Sequence, residues 1–374
     1  MVINVASFGG RSHMLDLARE LEKQGNVVRF YSYVPTKRAI QFGLKKECSY
    51  TLYYWALPFL ILFKVFGFRK NLLFFYRVIY DYITAWIMKP CDVFIGQVPM
   101  HLYSLKKAKK KFGAITICES GLSNIDVYIK ILSSIGIADY PKIGVSRYKA
   151  CYSAADYISV ASDFSKQGFI RQGFSEEKLI LNPYGVALNN FHPTVLQNDA
   201  YDCLMVGQWS KRKGVDMAVD ACRKLGCSLL HVGAFVDMPF PSEPNFEHID
   251  PVNEHELIKY YSKAKIFLFP SYEDGFGLVL IQALACGLPI VCSPNTGGPT
   301  LKRMLNDKKW IVEMEDVSTT SLEKAIEKGL NLAKSQTGER FYAHDILQKF
   351  SWEAYGNRYN TFLKSVLSND KNQQ

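Results

Sequence analysis

Between Pro270 and Gly298 the chain reads PSYEDGFGLVLIQALACGLPIVCSPNTGG. The residues before it, Ile266 to Pro270, predict a buried strand; a glycine corner, a helix, a second buried strand and another glycine pair follow. Gly275 and Gly277 flank Phe276 where strand gives way to helix. Glycines at such a corner let backbone N–H groups approach an anion, and the start of a helix adds favourable potential of roughly 0.3–1 kcal/mol. Glu273 and Asp274 stand at the same corner and would repel a bare phosphate. Amides for phosphate beside carboxylates for hydroxyls suit a sugar nucleotide.

A second constellation lies at GQWSKRKGVD, where Arg212 and Lys213 sit between a predicted strand (Asp202 to Gln208) and a predicted helix. Cations at the positive end of a helix dipole are unfavourable unless an anion joins them. Each charge-assisted contact to that anion contributes roughly 1.5–3 kcal/mol. Gly9 and Gly10 form a further turn, after the first strand, with Arg11 and His13 in the same loop. Either of these two side chains is a candidate for phosphate or acceptor contact; a lone His is more often structural. Glu119 closes the buried stretch ITICES, where it can orient a hydroxyl, steady developing positive charge, or serve a cap or hinge salt bridge.

These segments resemble the retaining GT-B glycosyltransferases of family 4. The family frame is an acid before G-F-G, seven residues and a second acid; here it runs from Asp274 through Gly275, Phe276, Gly277 and Leu278 to Gln282. Both ends depart from the usual Glu. Asp keeps the charge with shorter reach, and Gln can accept one hydrogen bond and donate another. The resemblance implies that the first acid contacts the transferred sugar, a role open to Asp274 or Glu273, and that Gln282 holds the ribose. It implies that Lys213 and Arg212 neutralise the donor diphosphate, and that Gly9 and Gly10 face donor and acceptor across a cleft. It puts base recognition in backbone groups near Asp250 to Val252. Many relatives carry His where this chain has Glu119. Glu119, Asp274 and Lys213 are thus the expected catalytic residues. The sequence contains no D-x-D motif, so no metal and no cofactor are expected beyond the nucleotide-sugar substrate.

The bulk numbers agree with an enzyme of this kind. At 374 residues, 48% hydrophobic and 21% charged, the chain is long enough for two domains of ordinary size. Alternating strand and helix signals in both halves predict an α/β protein with two Rossmann-like parallel sheets facing a central cleft. The expected boundaries are 1–184 for the acceptor domain and 185–350 for the donor domain, with a final helix over 351–367 returning to the first. The turn-rich stretch 182–199 is the expected linker. Nine cysteines without C-x-x-C spacing predict reduced thiols, and the opening MVINVASFGG reads as a strand rather than a secretory signal. A cytoplasmic protein is expected.

Charge is uneven. Residues 1–184 hold 25 Lys+Arg against 13 Asp+Glu, while the remainder hold 20 against 22. The cationic half also carries an aromatic and aliphatic stretch from Tyr50 to Met88, whose unbroken apolar run, Leu52 to Phe63, is too short to span a bilayer as a helix. With the cluster Lys106, Lys107, Lys109, Lys110 and Lys111, it predicts peripheral attachment to the anionic inner face of the plasma membrane. The alternative is a helical insertion packed in the core. No nucleic-acid-binding module is recognisable. The expected function is sugar transfer from a UDP- or GDP-sugar to a glycan or lipid-linked glycan of a surface polysaccharide. The alternatives are a nucleotide-sugar 2-epimerase of the same fold and a weakly active nucleotide-binding partner subunit.

Overall fold

A computed structural model describes residues 1–8, 12–66, 70–137, 141–193, 195, 201–306, 308–336, 340–341 and 344–373. Its first sheet contains β1 (Val2–Ala6), β2 (Val27–Ser32), β3 (Ser49–Thr51), β4 (Val93–Gln97), β5 (Ile115–Ser120), β6 (Tyr157–Val160) and β7 (Leu179–Leu181). The second contains β8 (Tyr201–Val206), β9 (Leu229–Val232), β10 (Phe246–Ile249), β11 (Ala264–Phe269), β12 (Ile290–Cys292) and β13 (Ile311–Glu313). Their orders are β3-β2-β1-β4-β5-β6-β7 and β10-β9-β8-β11-β12-β13. The pairings are parallel, for example β1 with β4 and β8 with β11. The expected α/β architecture of two doubly wound sheets is therefore present.

Nearly continuous burial along β4, β5, β9, β11 and β12 reflects helices on both faces of each sheet. The strand order reverses between β1 and β4, and again between β8 and β11. Ligands of open α/β sheets bind at such reversals, beyond the carboxyl ends of the strands. The expected boundary at residue 184 falls between β7 and β8.

The segment after β10 is broken: it forms a short 3₁₀ turn at Glu254–Glu256 and a single helical turn at Ile258–Tyr261. Arg340 takes the carbonyls of Tyr261 (2.9 Å), Ser262 (3.1 Å) and Ala264 (2.7 Å), groups that a longer helix would need for itself. The strands β3, β10 and β13 escaped notice because three or four residues carry too little alternation to register. All nine cysteines are free and buried.

The last helix, Trp352–Gln373, lies against the helix His13–Lys23 of the first domain. Asn26 donates to Asn360 at 3.1 Å across this junction. Gly356 lets the two helices close: a Cβ there would stand 2.4 Å from Glu20 Cβ. Gly356→Leu should therefore cost roughly 1–3 kcal/mol through overpacking. Urea denaturation followed by circular dichroism checks this, and an unchanged midpoint would contradict the packing argument.

Candidate functional site

The acid corner and the basic turn are brought together by a close approach of two backbones. Lys211–Lys213 form a 3₁₀ turn that ends at Gly214, whose φ is +73°. A Cβ at Gly214 would lie 2.2 Å from the carbonyl oxygen of Pro270, so only glycine fits. Beyond this point the segments are stitched together. The Tyr272 amide donates to Arg212 O (2.9 Å), and Arg212 Nη1 donates to Glu273 O (2.8 Å).

The two adjacent carboxylates then take different paths. Asp274 lines the cleft, where Lys213 Nζ donates to its Oδ2 and Arg212 Nη1 lies 3.5 Å away. Burial alone would push this carboxyl up, but Lys213 and Arg212 outweigh it and hold Asp274 below its ordinary range. Glu273 is fully buried and reaches into the other domain, accepting from the Ser123 amide (3.1 Å) and hydroxyl (2.9 Å). Burial first, then repulsion from Asp274, raises Glu273 above its ordinary value despite Arg212 at 3.6 Å. Of the two candidates for sugar contact, Asp274 is the one in the cleft.

The cleft has a volume of about 610 Å³ and runs between the domains. Arg212, Lys213, Asp274, Phe276, Gly277, Leu278 and Gln282 line it on one side; His13, Gly121 and Tyr184 line the other. The first turn of the helix Leu278–Ala285, with Gly277 as its N-cap, faces this space. Early helix amides have no intrahelical partner, which suits an anion. The Phe276 amide is otherwise engaged, donating to Asp274 Oδ1 at 3.1 Å. Gln282 Oε1 accepts from Tyr261 at 3.0 Å.

Three expected site residues sit elsewhere. Gly275 is at the domain junction, where a Cβ would come within 2.2 Å of Gly121 O, and its own carbonyl accepts from Ser165 (3.2 Å). Glu273 is at the same junction. Glu119 lies behind the cleft wall, fully buried, accepting from Tyr355 and Tyr359 hydroxyls at 3.2 Å each. His13 Nε2 faces Glu119 Oε1 at 3.5 Å, and the His13 ring packs on Tyr184 with centroids 4.3 Å apart. Glu119 therefore sits behind His13 rather than in the cleft. Gly9, Gly10 and Arg11 lie outside the described residues.

Sequence reasoning missed Ser12, Asp16, Tyr184, Glu254 and Trp352, all of which line the cleft. Glu254 follows β10, so recognising that strand would have marked the loop at its carboxyl end. Trp352 carried no such signal, because it arrives on a helix from the far end of the chain.

With the geometry described, known structures give the class of fold. The sucrose-phosphate synthase of Thermosynechococcus elongatus superposes with a TM-score of 0.71 at 18% identity, covering 98% of this chain and 99% of that one. The Anabaena protein HepE in complex with UDP and glucose gives 0.65 at 13% identity, covering 98% and 100%. The fold is GT-B. Residues 200–331 match the family model described as "Glycosyl transferases group 1". Among curated proteins, the capsular polysaccharide biosynthesis glycosyltransferase CapM of Staphylococcus aureus is 27% identical over 187 residues, 45% of this chain and 48% of that protein. The O-antigen chain mannosyltransferase B of Escherichia coli is 34% identical over 70 residues, 19% and 18% of the two chains. The chain thus spans about half the length, or less, of these curated relatives.

The opposite shifts of the two carboxyls make a pH prediction. Glu273, raised in the fold, contributes stability that is present below its ordinary value of 4.5 and lost as pH rises through the higher folded value. Asp274, lowered in the fold, contributes stability present above its ordinary 3.8 and lost as pH falls through the lower folded value. Glu273→Gln, which keeps an acceptor for Ser123, should flatten the decline of stability on the rising-pH side and leave the acid-side decline in place. Urea midpoints measured from acid to neutral pH would reveal an unaltered profile if the assignment is wrong.

Proposed function

We propose that this protein is a retaining glycosyltransferase of GT-B type, acting on a UDP- or GDP-sugar and a glycan or lipid-linked glycan in surface polysaccharide synthesis. The observation that carries the reading is the meeting of Lys213, Arg212 and Asp274 with the helix start at Gly277 in one interdomain cleft. In the cleft Lys213 donates to Asp274. A bound diphosphate would share both cations, leaving Asp274 to accept hydroxyl hydrogen bonds from the transferred sugar.

The leaving nucleoside diphosphate gains negative charge as the glycosidic bond breaks. Lys213 and Arg212 would stabilise that charge, with the amides of the helix start, in place of a divalent metal. Gln282 would hold the ribose and the backbone near Asp250 to Val252 the base. In a retaining reaction the acceptor hydroxyl attacks the face from which the nucleotide departs, and its proton passes to the departing phosphate oxygen. Catalysis then depends on positioning and charge stabilisation. His13, with Glu119 behind it, stands on the opposite wall, where an acceptor hydroxyl would lie. The capsular and O-antigen relatives support the glycan acceptor. The compartment proposed is the cytoplasm, with the protein held at the inner face of the plasma membrane, where lipid-linked glycans are assembled.

Lys213→Ala should lower turnover about 100- to 1000-fold, the scale of removing one preorganised charge-stabilising donor. Lys213→Arg should restore part of it. Radiolabelled transfer from a panel of UDP- and GDP-sugars measures both, and near-wild-type activity of the alanine variant would sink the phosphate assignment. Chelation by EDTA should leave turnover unchanged. NMR of the product should show the donor's anomeric configuration, and free epimerised sugar without an acceptor would point to a 2-epimerase instead.

A further inference from the structure

The segment that sequence marked as apolar forms two helices, Tyr53–Phe66 and Lys70–Ile87. Along the second, Phe75, Ile79, Tyr82 and Trp86 recur at helical spacing and are exposed, Trp86 by 73%. The first adds Tyr54, Trp55, Ile61 and Leu62, also exposed. Trp55 and Trp86 join the two rows edge to face, with ring centroids 6.4 Å apart. So much exposed aromatic and aliphatic surface in one place marks an interaction surface. Among the described residues no helix is long and apolar enough to cross a membrane. A face of this kind lies on a bilayer, with Trp and Tyr at headgroup level.

The neighbouring helix, Leu102–Phe112, supplies matching charge. Buried Asp81 fixes its start, accepting from the amides of Tyr103 (2.7 Å) and Ser104 (3.0 Å) and from Arg147 (2.5 Å). Tyr103 stacks on Tyr82 of the exposed row at 3.9 Å. Lys106 and Lys110 follow Tyr103 by three and seven residues, so they share its face and border the apolar row. Other lysines of the cluster have different work. Lys107 donates to Ala85 O (2.5 Å) at the end of the apolar helix, and Lys109 pairs with Asp156 (2.5 Å).

We propose that this surface docks on an anionic bilayer, with the Tyr82–Trp86 edge entering the interface while Lys106 and Lys110 meet lipid phosphates. The inference deepens the membrane-bound reading given above and assigns it a face and an orientation. The buried side of the second helix also touches the first domain's side of the cleft. Tyr80 of the second helix donates to Ser7 O (3.4 Å), and the Ser7 hydroxyl meets Ser12, a cleft residue, at 2.8 Å. The docked helices are therefore joined to the first domain's side of the cleft through Tyr80 and Ser7.

Flotation of the full chain with phosphatidylcholine vesicles, with and without phosphatidylglycerol, tests this at low and high salt. Binding should require phosphatidylglycerol and weaken with salt. Lys106→Gln and Lys110→Gln should each weaken it about fivefold. Ile79→Glu with Trp86→Glu should abolish it without changing the thermal melt, since both side chains are exposed. Equal binding to neutral vesicles, no binding, or a self-associated chain that the Ile79→Glu, Trp86→Glu variant separates would each overturn the proposal. The UDP-induced thermal shift, run in parallel without vesicles, keeps the two readings apart: a shift without vesicle binding defeats docking alone, whereas vesicle binding without a shift defeats the donor site alone.

Discussion

The contact between Gly214 and the Pro270 carbonyl is the constraint on which the site depends. It brings two loops, each following a strand of the second sheet, closer than any side chain would permit. Once they meet, the backbone bond from Tyr272 to Arg212 and the bond from the Arg212 guanidinium to the Glu273 carbonyl fix their register. The cations of one loop are then opposite the carboxylate of the other. Charge neutralisation at Asp274 is a consequence of that geometry, because Lys213 and Arg212 together outweigh the cost of burial.

Neighbouring carboxylates with opposite environments divide the labour. Asp274 faces two cations and the cleft and remains ionised below its ordinary range. Glu273 faces Ser123 of the other domain and is raised by burial. One residue serves the ligand space while its neighbour ties the lobes together. Gly275 belongs with the second task, since its lack of a side chain admits the Gly121 carbonyl. The domain junction and the cleft wall are thus built from consecutive residues, so a shift between lobes would be felt at Asp274.

The first domain reaches the same space by a different route. The last helix covers Glu119 with the hydroxyls of Tyr355 and Tyr359, and Glu119 in turn faces His13. Residues more than 200 positions apart in sequence therefore meet behind one imidazole. On the outer side, Tyr80 donates to Ser7, and the Ser7 hydroxyl meets Ser12, the N-cap of the helix that begins at His13. The chain from the helix Lys70–Ile87 to the cleft wall is short and consists of direct contacts.

Much of the fold was legible in the sequence because parallel strands buried on both faces leave long apolar runs, and glycine marks the turns between them. Asp274, Arg212 and Lys213 could be selected because each lies a few residues beyond a strand end, where ligands gather, and Gln282 by its place in the frame that follows G-F-G. Local sequence could not separate Glu273 from Asp274, since adjacent residues differ only in direction, and direction is set by the Ser123 loop. It could not reveal that Glu119 sits behind His13, or that Trp352 enters the cleft, because both follow from a helix folding back from the end of the chain. The sequence by itself determined the alternation of elements, the chemistry at their ends and the apolar character of residues 50–88. Tertiary structure alone decided which side chains share the cleft, because proximity across domains depends on backbone close packing that no local window contains.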